Sequence, residues 1–163
     1  MSQTPAAPSA APRPTACRMN LVTVFDPERG LRTHQVTGSI NLAAFRGLLE
    51  GLYGSRQFDP NMNALWDLRQ ADFSGITPED ARELMHVVTS LWGPRGTCHS
   101  AVVVAAEAEF GIVRTYVSQF GRNAPCRIQV FLDLDAARQW LGLGGAPAGV
   151  DAAASPPGSR RDH

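Results

Sequence analysis

The strongest constraint on the fold is a run of apolar residues in the second half of the chain, AVVVAA at residues 101–106. A strand that is apolar on both faces has to be covered on both faces, by helices or by tight packing all round. The next segment, residues 107–120, places four apolar side chains at helical spacing: Phe110, Val113, Val117 and Phe120. The run therefore predicts a central strand of an α/β domain.

Short strands and amphipathic helices alternate along the rest of the middle of the chain. Residues 20–25 and 31–37 predict a hairpin, because the connection between them contains Pro and Gly. Residues 64–68, ALWDL, predict a third strand, and residues 127–132, RIQVFL, alternate as a half-exposed edge strand does. The remaining helices follow three N-cap residues: Asn41, Thr77 and Asp133.

The order of these elements is ββαβαβαβα. A hairpin followed by right-handed crossovers makes the later strands parallel. We therefore expect an α/β fold with a mixed sheet of about five strands, flanked by about four helices.

The two ends of the chain differ in composition from the middle. Residues 1–18 and 146–163 are rich in Ala, Pro and Ser, and such segments bury too little apolar surface to offset the entropy of ordering. We predict two disordered tails around one domain at residues 19–145. The first tail lacks the apolar stretch of a signal peptide, and no run approaches the ~18–20 apolar residues of a membrane span. These features favour a cytoplasmic location.

The composition excludes several kinds of chemistry. All 15 basic residues are Arg, which excludes lysine Schiff bases and a P-loop lysine. The four histidines are not spaced as metal ligands with Cys, Asp or Glu, and neither a GxSxG nor a GxGxxG motif is present. A net charge of zero without a basic stripe gives no footprint for nucleic acid. We therefore expect no cofactor, no metal and no catalytic site.

The cysteines indicate structural thiols. Cys17, Cys98 and Cys126 form no CxxC pair, and their odd number favours reduced side chains. Cys98 and Cys126 each begin a predicted strand, and we interpret them as buried structural residues. If these two strands are neighbours, the two thiols lie close together.

Arg114 is the charged residue that most needs an explanation. It follows Phe110 by four residues, so that it lies on or beside the apolar stripe of its helix. A buried, unpaired guanidinium is costly, which leaves an internal ion pair with Asp67 or Asp72, a ligand contact, or exposure by snorkelling. Ligands of open α/β sheets bind beyond the carboxyl ends of the parallel strands, where Asp67 and Arg69 lie.

Three segments in register resemble one protein family. They are LWDLR at residues 65–69, EFGIVR at residues 109–114, and a stretch from VFLD at residues 130–133 through Ala136-Ala137 to Trp140-Leu141. Over roughly residues 20–142, the sequence resembles the SpoIIAA-like group of bacterial proteins, which are relatives of the STAS domain. The resemblance implies a (βα) superhelix in which consecutive strands lie side by side.

The resemblance also implies a function without catalysis. Relatives of this group act as partner-switching regulators, serve as cytoplasmic modules of anion transporters, or resemble CRAL-TRIO lipid carriers. STAS proteins that are switched by phosphorylation carry an Asp-Ser pair where the loop after the third strand enters the second helix. This chain has DFSGITP at residues 72–78 instead. Ser74 and Thr77 are the hydroxyls at that place, and Thr77 is already explained as a cap.

Two functional hypotheses remain open. The first is a non-enzymatic regulatory or ligand-binding module for a small apolar or anionic molecule or a lipid, with Asp67, Arg69 and Arg114 as candidate binding residues. Its predicted cleft lies between the second and third helices and is lined by five apolar residues: Leu84, Val88, Phe110, Val113 and Val117. The alternative is a protein-partner switch of the anti-sigma-factor-antagonist type, controlled by phosphorylation of Ser74 or Thr77. A homodimer through the hairpin edge is compatible with both.

Overall fold

The computed structural model describes residues 18–91, 98–119 and 126–144, and its elements follow the predicted order ββαβαβαβα. Within these residues the strands are β1 (Asn20–Asp26), β2 (Leu31–Ser39), β3 (Asn63–Asp72), β4 (Cys98–Val103) and β5 (Cys126–Phe131). The helices are α1 (Leu42–Tyr53), α2 (Pro78–Leu91), α3 (Glu107–Ser118) and α4 (Leu134–Trp140).

The sheet is mixed, as predicted. Its strand order is β1-β2-β3-β4-β5, so that consecutive strands lie side by side. β1 runs antiparallel to β2, and the later pairs are parallel. In the hairpin turn Gly30 has a φ of 57°, which glycine adopts without strain, and its N–H donates to the Pro27 carbonyl at 3.2 Å. The predicted α/β fold class is confirmed.

β4 confirms the interpretation of the AVVVAA run. It lies between β3 and β5, and residues 101–104 are all buried. The strand ends at Val103, earlier than predicted. Beyond it the backbone N–H groups of Ala105 and Ala106 each donate to Glu109 Oε2 at 3.1 Å, which begins α3 in place of further strand pairing.

β3 is longer than predicted. The apolar segment at residues 64–68 predicted only its first part, whereas residues 70–72 pair with residues 37–39 of β2 beyond an irregularity in the register. Backbone hydrogen bonds stabilise this extension, so its side chains need not be apolar. The extension brings Asp72 beside Ser39, whose hydroxyl donates to Asp72 Oδ2 at 2.9 Å.

The three predicted N-caps are confirmed. Asn41 and Asp133 each accept a hydrogen bond from the backbone N–H three residues later, at 3.0 and 2.7 Å. Thr77 Oγ1 does the same at 3.1 Å. These side chains satisfy N–H groups that have no partner within their helices.

Some predictions lie outside the described residues. These include Phe120, Trp92 and the stop signal Gly93-Pro94, together with all of residues 146–163 and all but the last residue of 1–18. The predicted tails and the domain boundaries at residues 19 and 145 therefore stay predictions.

The two faces of the sheet are covered by different helices. α4 covers one face over β4 and β5, where six buried residues form a core cluster: Leu31, Leu65, Ala101, Val103, Ala137 and Leu141. We call this the α4 face. Crossovers of one hand place α1, α2 and α3 together on the opposite face, which carries Trp66, Leu68, Val102 and Ile128 and which we call the pocket face.

Candidate functional site

An apolar pocket lies between the pocket face and helices α1, α2 and α3. Its volume is about 160 Å³. The sheet contributes apolar side chains from β3, β4 and β5, and the helices contribute Leu42 and Leu49 from α1, Leu84 and Val88 from α2, and Ile112, Val113 and Val117 from α3. A concave, mostly apolar space with a few polar groups is typical of small-molecule sites.

Four of the five residues predicted for a cleft between the second and third helices line this pocket. Leu84 and Val88 lie one turn apart on α2, and Val113 and Val117 lie one turn apart on α3. The prediction for Phe110 is wrong, because it lies in the first turn of α3 and the pocket begins farther along that helix. The pocket is also wider than predicted, since α1 forms one of its walls.

Five polar side chains interrupt the apolar lining: Arg32, Tyr53, Asp80, Ser100 and Tyr116. Arg32 is only 3% exposed. Its Nη1 donates to the carbonyl of Asp59 at 2.9 Å, and its guanidinium carbon lies 4.7 Å from the centre of the Phe58 ring. Arg32 is therefore held by protein groups next to the pocket.

Tyr116 contributes a phenol to the lining of the pocket. Its hydroxyl oxygen is buried and has no hydrogen-bond partner in the described part of the chain. Burial, and secondly the negative charge of Asp80, raise the pKa of Tyr116 above its usual range. Hydrogen bonds from the backbone N–H and the hydroxyl of Thr77, at 2.9 and 2.7 Å, hold the pKa of Asp80 below its usual range. At neutral pH the phenol is therefore protonated and the carboxylate ionised.

His34 is a second buried polar residue on the pocket face. Its ring centre lies 4.0 Å from that of Trp66, and a 2.9 Å hydrogen bond joins Nδ1 to Thr23 Oγ1. Burial, and secondly the charge of Arg32, lower the pKa of His34 to about 3. Sequence reasoning missed both residues, although Arg32, His34 and Val36 alternate along β2 toward one face.

Asp67 and Arg69 lie within β3 and not at its carboxyl end as predicted, because the strand continues to Asp72, and neither lines the pocket. Arg69 Nε and Nη2 donate to the two Asp67 oxygens at 2.9 and 2.7 Å. These bonds hold the pKa of Asp67 below its usual range. Strand alternation places both residues on the α4 face with Leu65, where the charges of Arg138 and Asp133 act on them.

Arg114 is exposed on α3 and does not line the pocket. The internal ion pair is a wrong prediction, because no ion pair among the described residues includes Arg114. Asp67 is paired with Arg69, and Asp72 accepts hydrogen bonds from Ser39 and Ser74. Ligand binding by Asp67, Arg69 and Arg114 stays a prediction, and such a ligand would contact them outside the apolar pocket.

Ser74 and Thr77 lie in the loop that enters α2. Both are exposed, and the hydroxyl of Thr77 is engaged in the cap of α2. The backbone N–H of Ser74 donates to Asp72 Oδ1 at 2.9 Å. Their phosphorylation stays a prediction.

The two described cysteines are neighbours. Cys98 and Cys126 are register partners on β4 and β5, and both are buried. Their predicted burial is confirmed, and their strands are neighbours, which is the condition under which we expected the thiols to lie close together. Cys17 lies outside the described residues.

The edge strand β1 exposes Val22 and Val24, at 49% and 61%. A homodimer through this edge stays a prediction. Within residues 18–91, 98–119 and 126–144, no three His, Cys, Asp or Glu side chains are grouped to hold a metal ion. In the same part of the chain, none of the helices has the length and apolarity that crossing a bilayer requires.

Comparison with known proteins supports the fold. The chain matches no protein-family model and no curated protein. Among solved structures it is similar to an uncharacterised protein of the DUF3478 family from Shewanella loihica PV-4, described as having a SpoIIAA-like fold. The TM-score is 0.54 at 16% identity, over 81% of this chain and 99% of that one. With its five-stranded mixed sheet and four helices, the described part of this chain has a SpoIIAA-like fold, as the sequence resemblance implied.

Proposed function

We propose that the protein is a non-enzymatic binding module that holds a small, mostly apolar molecule in the apolar pocket. The pocket itself carries this proposal, because a space of about 160 Å³ with an apolar lining lies between the sheet and three helices. Apolar cavities of about 150 Å³ bind benzene in other proteins. The ligand is therefore about as large as one substituted aromatic ring or a short acyl chain.

Energetics favour an occupied pocket. The apolar side chains that line this space lack contacts with other atoms on the side that faces it. A ligand that fills it regains contacts with the apolar side chains on both sides. The molecule therefore has a physical reason to bind apolar matter at this place.

The polar residues of the lining support binding rather than catalysis. Tyr116 is protonated at neutral pH and Asp80 is engaged in the cap of α2, so neither is poised as a general base. Arg32 is held by Asp59 and Phe58. These groups can orient a ligand, and we assign them no step of bond making or breaking.

A phosphorylation-controlled partner switch is the second candidate function. Phe73 and Ile76, in the loop between β3 and α2, line the pocket, while Ser74 between them is exposed. A phosphate on Ser74 would therefore act on a loop that also contacts the ligand. This candidate predicts a mass increase of one phosphate on native protein and a partner that Ser74→Asp releases or captures. If Ser74→Asp leaves every partner contact intact, a switch through Ser74 is excluded.

Native mass spectrometry tests the binding function. Protein purified without denaturation should carry an added mass that organic extraction releases. Val113→Phe, which places a ring in the pocket, should lose this mass. Val24→Phe is the matched control, since Val24 is 61% exposed on β1, and this variant should keep the added mass.

Ligand-free protein gives the complementary result. It should bind toluene in calorimetric titrations, and Val113→Phe should abolish this binding while Val24→Phe leaves it unchanged. Absence of toluene binding up to its solubility limit, or binding that Val113→Phe does not affect, would contradict the proposal.

A further inference from the structure

The hydroxyl of Tyr116 is a polar group of the pocket that has no hydrogen-bond partner among the described residues. Its oxygen is buried, and no described residue accepts from it or donates to it. A buried hydroxyl without a partner loses its hydrogen bonds to water and receives nothing in return. Such a group is retained at a cost, which a ligand oxygen or nitrogen would remove once the contacts that enclose the hydroxyl open.

The surroundings of this hydroxyl define the ligand further. Val113 and Val117 flank Tyr116 on the pocket side of α3, so the body of a ligand beside the hydroxyl meets apolar side chains. Asp80 lines the same pocket from α2 and carries a negative charge. Asp80 is the charged residue that raises the pKa of Tyr116. An anionic head group placed at the hydroxyl would therefore be repelled.

We propose that Tyr116 is the polar anchor of the pocket and that the ligand is an uncharged molecule with an apolar body and one oxygen that accepts a hydrogen bond from the Tyr116 hydroxyl. Uncharged alcohols, aldehydes, ketones and esters have this chemistry, and carboxylates do not. The inference rests on the proposed binding function and replaces the anionic ligand of the sequence hypothesis with a neutral one at this site.

Three test ligands share a benzene ring and differ in the group that is attached to it. Benzyl alcohol carries a neutral oxygen, toluene carries none, and benzoate is an anion at pH 7. In calorimetric titrations of the wild type, benzyl alcohol should bind about fivefold more tightly than toluene, the value of one ordinary hydrogen bond. Benzoate should bind most weakly of the three.

Tyr116→Phe removes the hydroxyl and keeps the ring, so it tests the anchor separately from binding in the pocket. In this variant the affinity of benzyl alcohol should fall below that of toluene, because its hydroxyl loses water without gaining a partner, while the affinity of toluene stays unchanged. The ligand-free variant should melt at the same or a higher temperature than the wild type, because a buried hydroxyl without a partner is removed. Asp80→Asn, which keeps an oxygen for Thr77, should raise the affinity of benzoate.

The outcomes distinguish the anchor role of Tyr116 from the proposed binding function. If toluene and benzyl alcohol bind the wild type equally and Tyr116→Phe changes neither, the anchor is wrong and the binding function stands. If benzoate binds the wild type more tightly than benzyl alcohol, the neutral ligand class is wrong. If none of the three binds, or if Val113→Phe fails to affect any of them, the proposed function itself fails.

Discussion

The two faces of one sheet are built from alternate residues of the same strands, yet one is closed and the other is hollow. On the α4 face Ala101 lies in the same buried cluster as Ala137 of α4, and both are fully buried. Small residues at such a contact let helix and sheet approach closely. On the pocket face, helices α1, α2 and α3 leave a space of about 160 Å³ above Trp66 and Val102. Buried residues on the two faces therefore have different roles. Those of the α4 face are closely packed and stabilise the fold, whereas those of the pocket face surround a space that has room for a ligand.

We expect the largest difference in stability between the two faces when one residue on each face is enlarged. Ala137→Leu adds carbons to a filled contact and should cost about 3 kcal/mol, because a packed core tolerates added volume poorly. Val113→Phe should change stability by less than about 1 kcal/mol, since the pocket accepts the ring. Urea denaturation of both variants measures the two values. Equal costs would show that the pocket face is as filled as the α4 face.

Acid should affect the pocket face through His34. The unfolded chain takes up a proton at His34 near pH 6.5, whereas burial delays protonation in the folded chain to a pKa of about 3. Stability should therefore fall as pH is lowered from about 6.5 toward 3, by about 1 kcal/mol per pH unit. His34→Asn keeps a group for Thr23 but does not titrate. Urea denaturation between pH 7 and pH 5 should give a flatter slope for this variant, and an unchanged slope would exclude His34 as the cause.

The Asp67–Arg69 pair should contribute less. Arg69 is 43% exposed at its side chain, so the pair is partly screened by water, and Asp67→Asn should cost at most about 1 kcal/mol at pH 7. The pKa of Asp67 is lowered in the folded chain, so this contribution is present above the unfolded value and is lost as pH falls through the folded one. Chemical denaturation at pH 7 and pH 3 checks both statements. A larger loss at pH 3 than at pH 7 would contradict the assignment.

Arg114→Ala should have the smallest effect. The side chain is exposed and forms no ion pair within the described residues, so stability should change by no more than about 0.5 kcal/mol. Toluene binding should be unchanged. A loss of toluene affinity without a loss of stability would contradict the placement of Arg114 outside the pocket.

Sequence patterns predicted the helices and strands because apolar residues recur at the spacings at which side chains are buried. AVVVAA required cover on both faces, and the caps at Asn41, Thr77 and Asp133 fixed three helix starts. The end of β3 was missed because backbone pairing with β2 holds it, and Ala71 is the one apolar residue among its last four.

The site was predicted less completely because the rotation of α3 was misplaced. A stripe through Phe110 puts Arg114 near its centre, whereas the observed inward face includes Ile112 and Tyr116 and turns Arg114 outward. Helical spacing is compatible with several choices of buried face on α3. Packing against α2 and the sheet determines which of them is buried. The unsatisfied hydroxyl of Tyr116 could not be predicted, since it depends on which groups fail to reach it.

Methyl-resolved NMR of the ligand-free protein during a toluene titration tests the central claim most directly. We predict saturable shifts of the methyl signals of Val88, Val113 and Val117, which line the pocket, with those of Ala137 and Leu141 on the α4 face unchanged. Shifts that are centred on the α4 face, or no saturable shift at the solubility limit of toluene, would contradict the account.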